Sequence, residues 1–101
     1  MPAASRVTDD LTTGHSCISI TQIESSNTDS SVHANGLDII VIGAPTVSHI
    51  APPTPLCPPH VRVLNTGSGS VFINGIGVGR VDDSADSGVM IEGSPNVNVG
   101  G

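Results

Sequence analysis

A chain of 101 residues with a net charge of −6, whose only Lys or Arg side chains are Arg6, Arg62 and Arg80, cannot build the basic face that nucleic acid or an anionic membrane surface demands. With Phe72 as its one aromatic residue it is expected to be a single small domain spanning 1–101, with a core so thin that a metal, a disulfide or a partner surface must help hold it. No apolar run approaches the roughly 18 residues of a spanning helix and no charged-then-apolar leader opens the chain, so synthesis in the cytoplasm without a signal peptide is expected.

Twelve Gly and eight Pro, with Val and Ile as the main large apolar residues, predict short strands and tight turns, and no window keeps a helical period beyond two turns. Residues 1–7 read as an extended start, 8–15 as a polar loop, and Cys17–Ile23 as a half-buried strand that alternates apolar and polar residues. Residues 24–30 form a Ser/Asn/Asp turn region, and 32–42 a hairpin with Asn35-Gly36 at its turn. A long proline-rich loop follows over 43–59, then a short alternating strand over 61–64. Gly67–Asp83 holds the second hairpin: Val71, Phe72 and Ile73 run into Asn74-Gly75, and Ile76, Val78 and Val81 alternate on the return. An acidic turn over 82–87 leads to the last strands over 89–99.

The two hairpins are one element used twice, with the Asn-Gly pairs 39 positions apart. Gly93-Ser94-Pro95-Asn96-Val97 repeats the opening Gly67-Ser68-Gly69-Ser70-Val71, but no second strand follows before Gly101. The missing half matches the other terminus, because Arg6-Val7-Thr8-Asp9 aligns with Arg80-Val81-Asp82-Asp83. The expected architecture is therefore all-β, with short hairpins in three pseudo-repeats wound into a ring. The N- and C-terminal strands close the third repeat.

Six residues carry candidate chemistry: His15, Cys17, His33, His49, Cys57 and His60. Cys57-Pro58-Pro59-His60 has a spacing that lets a thiolate and an imidazole share one ion, and its prolines stiffen the loop. His15 lies nine residues after Arg6, and His49 eight after Val41, the counterpart of Arg80; the third counterpart, Gly88, offers no ligand. Two repeat ends thus offer one His each, and the loop completes a closed set of His15, His49, Cys57 and His60 suited to a structural Zn²⁺, with iron second. Cys17 could replace one ligand or pack as a small apolar residue; a Cys17–Cys57 disulfide is open, but two cysteines in a reducing compartment are more often thiols or metal ligands. His33 reads as a strand-surface residue.

Met1-Pro2-Ala3-Ala4-Ser5-Arg6, Thr13-Gly14-His15, Cys57-Pro58-Pro59-His60, the two Gly-Ser-x-x-Val openings and Val71-Phe72-Ile73-Asn74-Gly75 resemble the PAAR-repeat proteins. Departures are Ser5 in place of the family's Ala, Val41 in place of Arg, and Ser87-Gly88 where members often carry Cys-Gly. The resemblance implies a small cone of β-hairpins with a zinc-binding, metal-stapled tip. It implies a membrane-puncturing cap, one per trimeric β-helical spike, on a contractile injection machine: a phage tail baseplate, where it is a virion component, or a type VI secretion system. Non-covalent effector cargo and transient contact with the target-cell membrane follow from the same resemblance. It assigns no catalytic role, and the ligands it implies are again His15, His49, Cys57 and His60.

Two other classes compete with this structural reading. A small zinc-dependent hydrolase needs an open coordination position and a general base, and the chain has no His-Glu-x-x-His motif. A metal-free β-domain that binds a protein or glycan needs no ligands and is separated by elemental analysis.

Overall fold

The computed structural model describes residues 2–28 and 32–100; Asp29 and Ser30, at the end of the expected turn region, Ser31 after them, and the terminal Met1 and Gly101 lie outside the described residues. Ten strands of two or three residues pair as five antiparallel hairpins, and no helix occurs among the described residues. β1 (Asp10–Thr12) pairs with β2 (Ile20–Gln22), β3 (His33–Ala34) with β4 (Leu37–Asp38), and β5 (His49–Ile50) with β6 (Pro59–His60). β7 (Phe72–Ile73) pairs with β8 (Ile76–Gly77), and β9 (Ser84–Ala85) with β10 (Gly88–Val89). Both Asn-Gly turns form as the sequence requires: Asn35 and Gly36 have φ of 56° and 79°, Asn74 and Gly75 of 51° and 79°. Positive φ at both central residues is the type I′ geometry, whose twist matches that of the flanking strands.

The chain is held by backbone hydrogen bonds that run in a cycle through three equivalent segments: Ala4–Asp9, Ile39–Ala44 and Val78–Asp83. Ser5 N–H donates to Gly79 O (2.9 Å), Gly79 N–H to Ile40 O (2.8 Å) and Ile40 N–H to Ser5 O (3.2 Å), so the ring closes on itself. The next step repeats the cycle, with Val7 N–H to Asp38 O, Ile42 N–H to Gly77 O and Val81 N–H to Ala3 O. Bridges Ala4↔Arg80, Arg6↔Ile39 and Val41↔Val78 flank the ring with the same three-fold rule. A closed cycle leaves no strand edge within it unpaired, which suits strands too short to form a wide sheet.

Side chains break this symmetry where the axis is crowded. Ile40 fills the centre, and a Cβ on Gly79 would lie 2.6 Å from Leu64 Cδ2 and 2.8 Å from Ile40 Cγ1. Only one of the three ring positions can therefore carry a large side chain; the others are Gly79 and Ser5. Each segment ends in a turn with positive φ at its third position, Thr8 at 74°, Gly43 at 92° and Asp82 at 77°. In the first and last, an aspartate accepts from the backbone N–H and the guanidinium of the preceding arginine: Arg6 with Asp9, and Arg80 with Asp83. The middle repeat has Val41 and Ala44 in those places and no such clamp. There glycine supplies the left-handed conformation at low cost.

Backbone bonds also join the two ends of the chain. Ala4 N–H donates to Val97 O (2.9 Å), Val99 N–H to Pro2 O (2.8 Å) and Ser94 N–H to Ala4 O (2.7 Å). Val78 N–H to Val71 O and Ile39 N–H to Val32 O are the matching bonds inside the chain. The core lies in two small clusters, one of Ala4, Ala34, Ile39, Val78 and Val99, the other of Leu11, Ile23, Ile40, Ala44, Leu64, Ala85 and Met90. Several expectations change. The polar loop expected over 8–15 contains β1, the acidic turn expected over 82–87 contains β9, and the strand expected over 61–64 forms only the single bridges of Val63 and Leu64. The loop over 43–59 contains β5, whose partner is β6 at its far end, because His49 and Ile50 pair with His60 and Pro59. The ladder expected over 89–99 stops at Val89, and the remainder joins the fold through single bridges such as Leu11↔Met90 and Ala3↔Asn98.

Candidate metal centre

Beyond the second cluster each repeat extends one further hairpin, β1–β2, β5–β6 or β9–β10. The bridges Leu11↔Met90, Ile23↔Thr46 and Leu64↔Ala85 tie these extensions together in the same cyclic order. Thr13 Oγ1 donates to Ile18 O (2.5 Å) and so shapes the loop that carries His15. His49 and His60 are cross-strand partners in the β5–β6 register, which brings their rings to one face. Asp86 lies in the two-residue turn between β9 and β10 with φ of 53°, a conformation that Asp tolerates better than most residues. Its backbone is fixed by Asp86 N–H to Val63 O (3.1 Å), by Asn65 Nδ2 to Asp86 O (2.9 Å) and by Ser87 N–H to Thr13 O (3.0 Å). A Cβ on Gly14 would collide with Ser87 O, and one on Gly88 with Thr12 O. That backbone-to-backbone approach draws the His15 loop and the Asp86 turn together.

The result is a cluster in which Asp86 Oδ2 lies 2.9 Å from His15 Nε2, 2.7 Å from His49 Nε2 and 3.2 Å from His60 Nε2. His60 Nε2 also lies 2.8 Å from His49 Nε2 and 3.1 Å from His15 Nε2, and all four ligand atoms fall within 4.8 Å of one another. A tetrahedral ion with bonds of about 2.0–2.1 Å would set its ligand atoms about 3.3–3.4 Å apart. The five spacings given are shorter, so an ion fits with those ligands opening, by about 0.6 Å at the closest pair, His49 and Asp86. The His49 and Asp86 side chains are buried, 2% and 1% exposed, and His15 and His60 form the rim at 11% and 19%.

Proton positions argue for a cation more strongly than distance does. His15 Nδ1 lies 2.9 Å from Ser16 O, and His49 Nδ1 lies 2.8 Å from Val47 O. A carbonyl only accepts, so each Nδ1 carries the proton, and in the neutral ring each Nε2 presents a lone pair. Those lone pairs face each other across a carboxylate oxygen. The cluster thus needs added positive charge, either protons on the rings or a metal ion, and backbone carbonyls that fix the outer nitrogen are the usual support of metal-ligating histidines. The hydrogen bond to Ser16 O, helped by Asp86, raises the pKa of His15 against the opposing effect of burial. Burial would push the Asp86 carboxyl up, but in the metal-free protein hydrogen bonds from the protonated rings of His49, His15 and His60 outweigh it and hold it below the usual carboxylate range.

His15, His49 and His60 come together as the sequence suggested. Cys57 does not join them. Its sulfur is bonded to Cys17, with Cα atoms 5.8 Å apart, so the fourth group facing the three rings is Asp86. The disulfide takes the sulfur out of ligation, and the third repeat, expected to offer nothing at Gly88, supplies a carboxylate two residues earlier. Asp86 is the only side chain between Ser84 and Gly88 with a metal-ligating group, so following the third repeat through its turn would have found it. His33 lies on the surface, 2.8 Å from Asp38. No protein-family model matches the chain, and no curated protein matches its sequence.

Proposed function

We propose that this domain is a structural, metal-clamped tip that caps a trimeric β-helical spike in a contractile injection machine, in the manner of the PAAR-repeat proteins it resembles. The observation that carries the reading is the cyclic backbone ring of Ser5, Gly79 and Ile40, which gives a single chain an approximate three-fold axis. One such chain can meet a symmetric trimer with three similar faces, as an asymmetric partner cannot. At the end of the hairpins β3–β4 and β7–β8, Val71 and Phe72 are exposed at 40% and 55%, and their burial on a spike would contribute to docking.

Rigidity is the work the fold would do. The ion would be held by His15 Nε2, His49 Nε2, His60 Nε2 and Asp86 Oδ2, one or two ligands from every repeat, where the apolar core has run out. When bound it supplies folding free energy that a thin core lacks. Zn²⁺ suits three imidazoles and a carboxylate, with Fe²⁺ as the next choice. Four protein ligands make a closed site, so the assignment is a structural ion and a non-enzymatic role. Delivery to a target envelope, and any cargo carried non-covalently, belong to the same proposal.

The test is the mass of the complex formed with the spike protein encoded beside it. One chain per three spike chains is expected. Three chains per trimer, or no complex, would contradict the cap.

A further inference from the structure

We propose that the Cys17–Cys57 disulfide is an oxidation-set latch on the metal centre, so that oxidising conditions tighten metal binding here instead of destroying it; this rests on the metal-site reading above. Cys17 lies two residues after His15, and Cys57 three before His60, so the bond joins the two loops that carry the rim ligands. Those loops belong to different hairpins. Among the described residues the only hydrogen-bond contact between 14–19 and 51–60 is the one between the His15 and His60 rings themselves. Apart from the ring contacts at Asp86, the disulfide is the one covalent tie between the two rim loops among the described residues. Both cysteines have positive φ, 82° at Cys17 and 45° at Cys57, a conformation that persists in such residues only where surrounding constraints impose it.

The sign of the effect follows from the donor set. In a thiolate-ligated site an oxidant converts ligands to disulfide and releases the ion. Here the four candidate ligands are three imidazoles and a carboxylate, and both sulfurs stand outside them. Oxidation removes no ligand. It fixes the distance between two of them and lowers the entropy lost when the ion is captured. In the chemical step the two thiols give two protons and two electrons to a disulfide oxidant such as glutathione disulfide, which leaves as two thiols, while the Cys17–Cys57 bond forms.

The experiment uses the full chain loaded with Zn²⁺ and mixed with an excess of a chromogenic chelator. The disulfide form is compared with C17S/C57S, which can neither crosslink nor ligate through sulfur. Release from the double-serine variant should be about tenfold faster or more, the scale on which losing a group that orients ligands weakens a metal site. Equal rates from folded proteins would overturn the latch and leave the metal site standing. Folded protein that retains no zinc in either form would overturn the metal reading itself. A second measurement needs no variant. Because coupling is reciprocal, stoichiometric Zn²⁺ must shift the wild-type equilibrium with a glutathione buffer towards the disulfide, in proportion to how much more tightly the disulfide form binds Zn²⁺ than the dithiol form. A shift towards the dithiol would overturn the proposal.

Discussion

His49 Nε2 lies 2.7 Å from Asp86 Oδ2, and the hydrogen bond from His49 Nδ1 to Val47 O leaves no proton between them in the neutral ring. That pair is the buried centre of the cluster, and its need for a cation makes metal removal the first prediction. At about 100 times its Kd a bound ion stabilises a fold by about 2.7 kcal/mol. For a domain of this size that is roughly 10–20 °C in Tm. Chelation should lower Tm by about this amount, and H60A or D86N should abolish the difference between metal-loaded and chelated protein. H33A should preserve it, since His33 pairs with Asp38 on the surface. Differential scanning calorimetry with and without chelator reads all four.

Acid should act in opposite directions on the two forms. In metal-free protein the raised pKa of His15 means that its stabilisation is fully present below its unfolded value of 6.5 and lost as pH rises through the folded value. The lowered pKa of Asp86 means that its stabilisation is complete above the unfolded value of 3.8 and lost as pH falls through the folded one. Metal-free protein should therefore melt highest between those two limits and lose stability on the alkaline side. Metal binding instead requires deprotonated imidazoles, so metal-loaded protein should lose stability as pH drops below about 6.5. Melting curves at several pH values, with and without chelator, should cross; parallel curves would show that the rings do not exchange protons for metal.

Much of this was readable in the residues, for local reasons. Asn35-Gly36 and Asn74-Gly75 specify their turns because backbone sterics act within the dipeptide. The ring was visible because Arg6/Asp9 and Arg80/Asp83 form the same clamp at two places in the chain. Asp86 was hidden by its company. Beside Asp82 and Asp83 it looks like a solvated acidic turn, and only the β9–β10 hairpin brings it to the histidines. Cys57 misled because its spacing to His60 suits metal ligation, whereas its actual partner is 40 residues away and is brought near by the packing of separate repeats.

Packing at the axis gives a prediction independent of metal. G79A should cost about 1–3 kcal/mol, the usual range for overpacking, because its Cβ has no room beside Ile40 and Leu64. I40A alone should cost about 2–5 kcal/mol. The double variant should cost less than the sum, since truncating Ile40 opens the space that the methyl group added at Gly79 needs. Urea denaturation of the four proteins measures the coupling, and strict additivity would mean that the two positions do not share the axis.

Closure by the termini predicts a global effect from a small deletion. Removing residues 94–101 eliminates the Ala4–Val97, Val99–Pro2 and Ser94–Ala4 backbone bonds and takes buried Val99 from its cluster. The truncated chain should unfold at a markedly lower denaturant concentration, as a lost strand would cause and a trimmed tail would not. An unchanged midpoint would contradict closure.

The most direct test of the central claim is X-ray absorption at the metal edge of the purified, oxidised protein. One ion per chain is expected, with about four nitrogen or oxygen neighbours at roughly 2.0–2.1 Å and no sulfur shell near 2.3 Å. Folded protein with no bound ion, or a sulfur shell from Cys17 or Cys57, would contradict it.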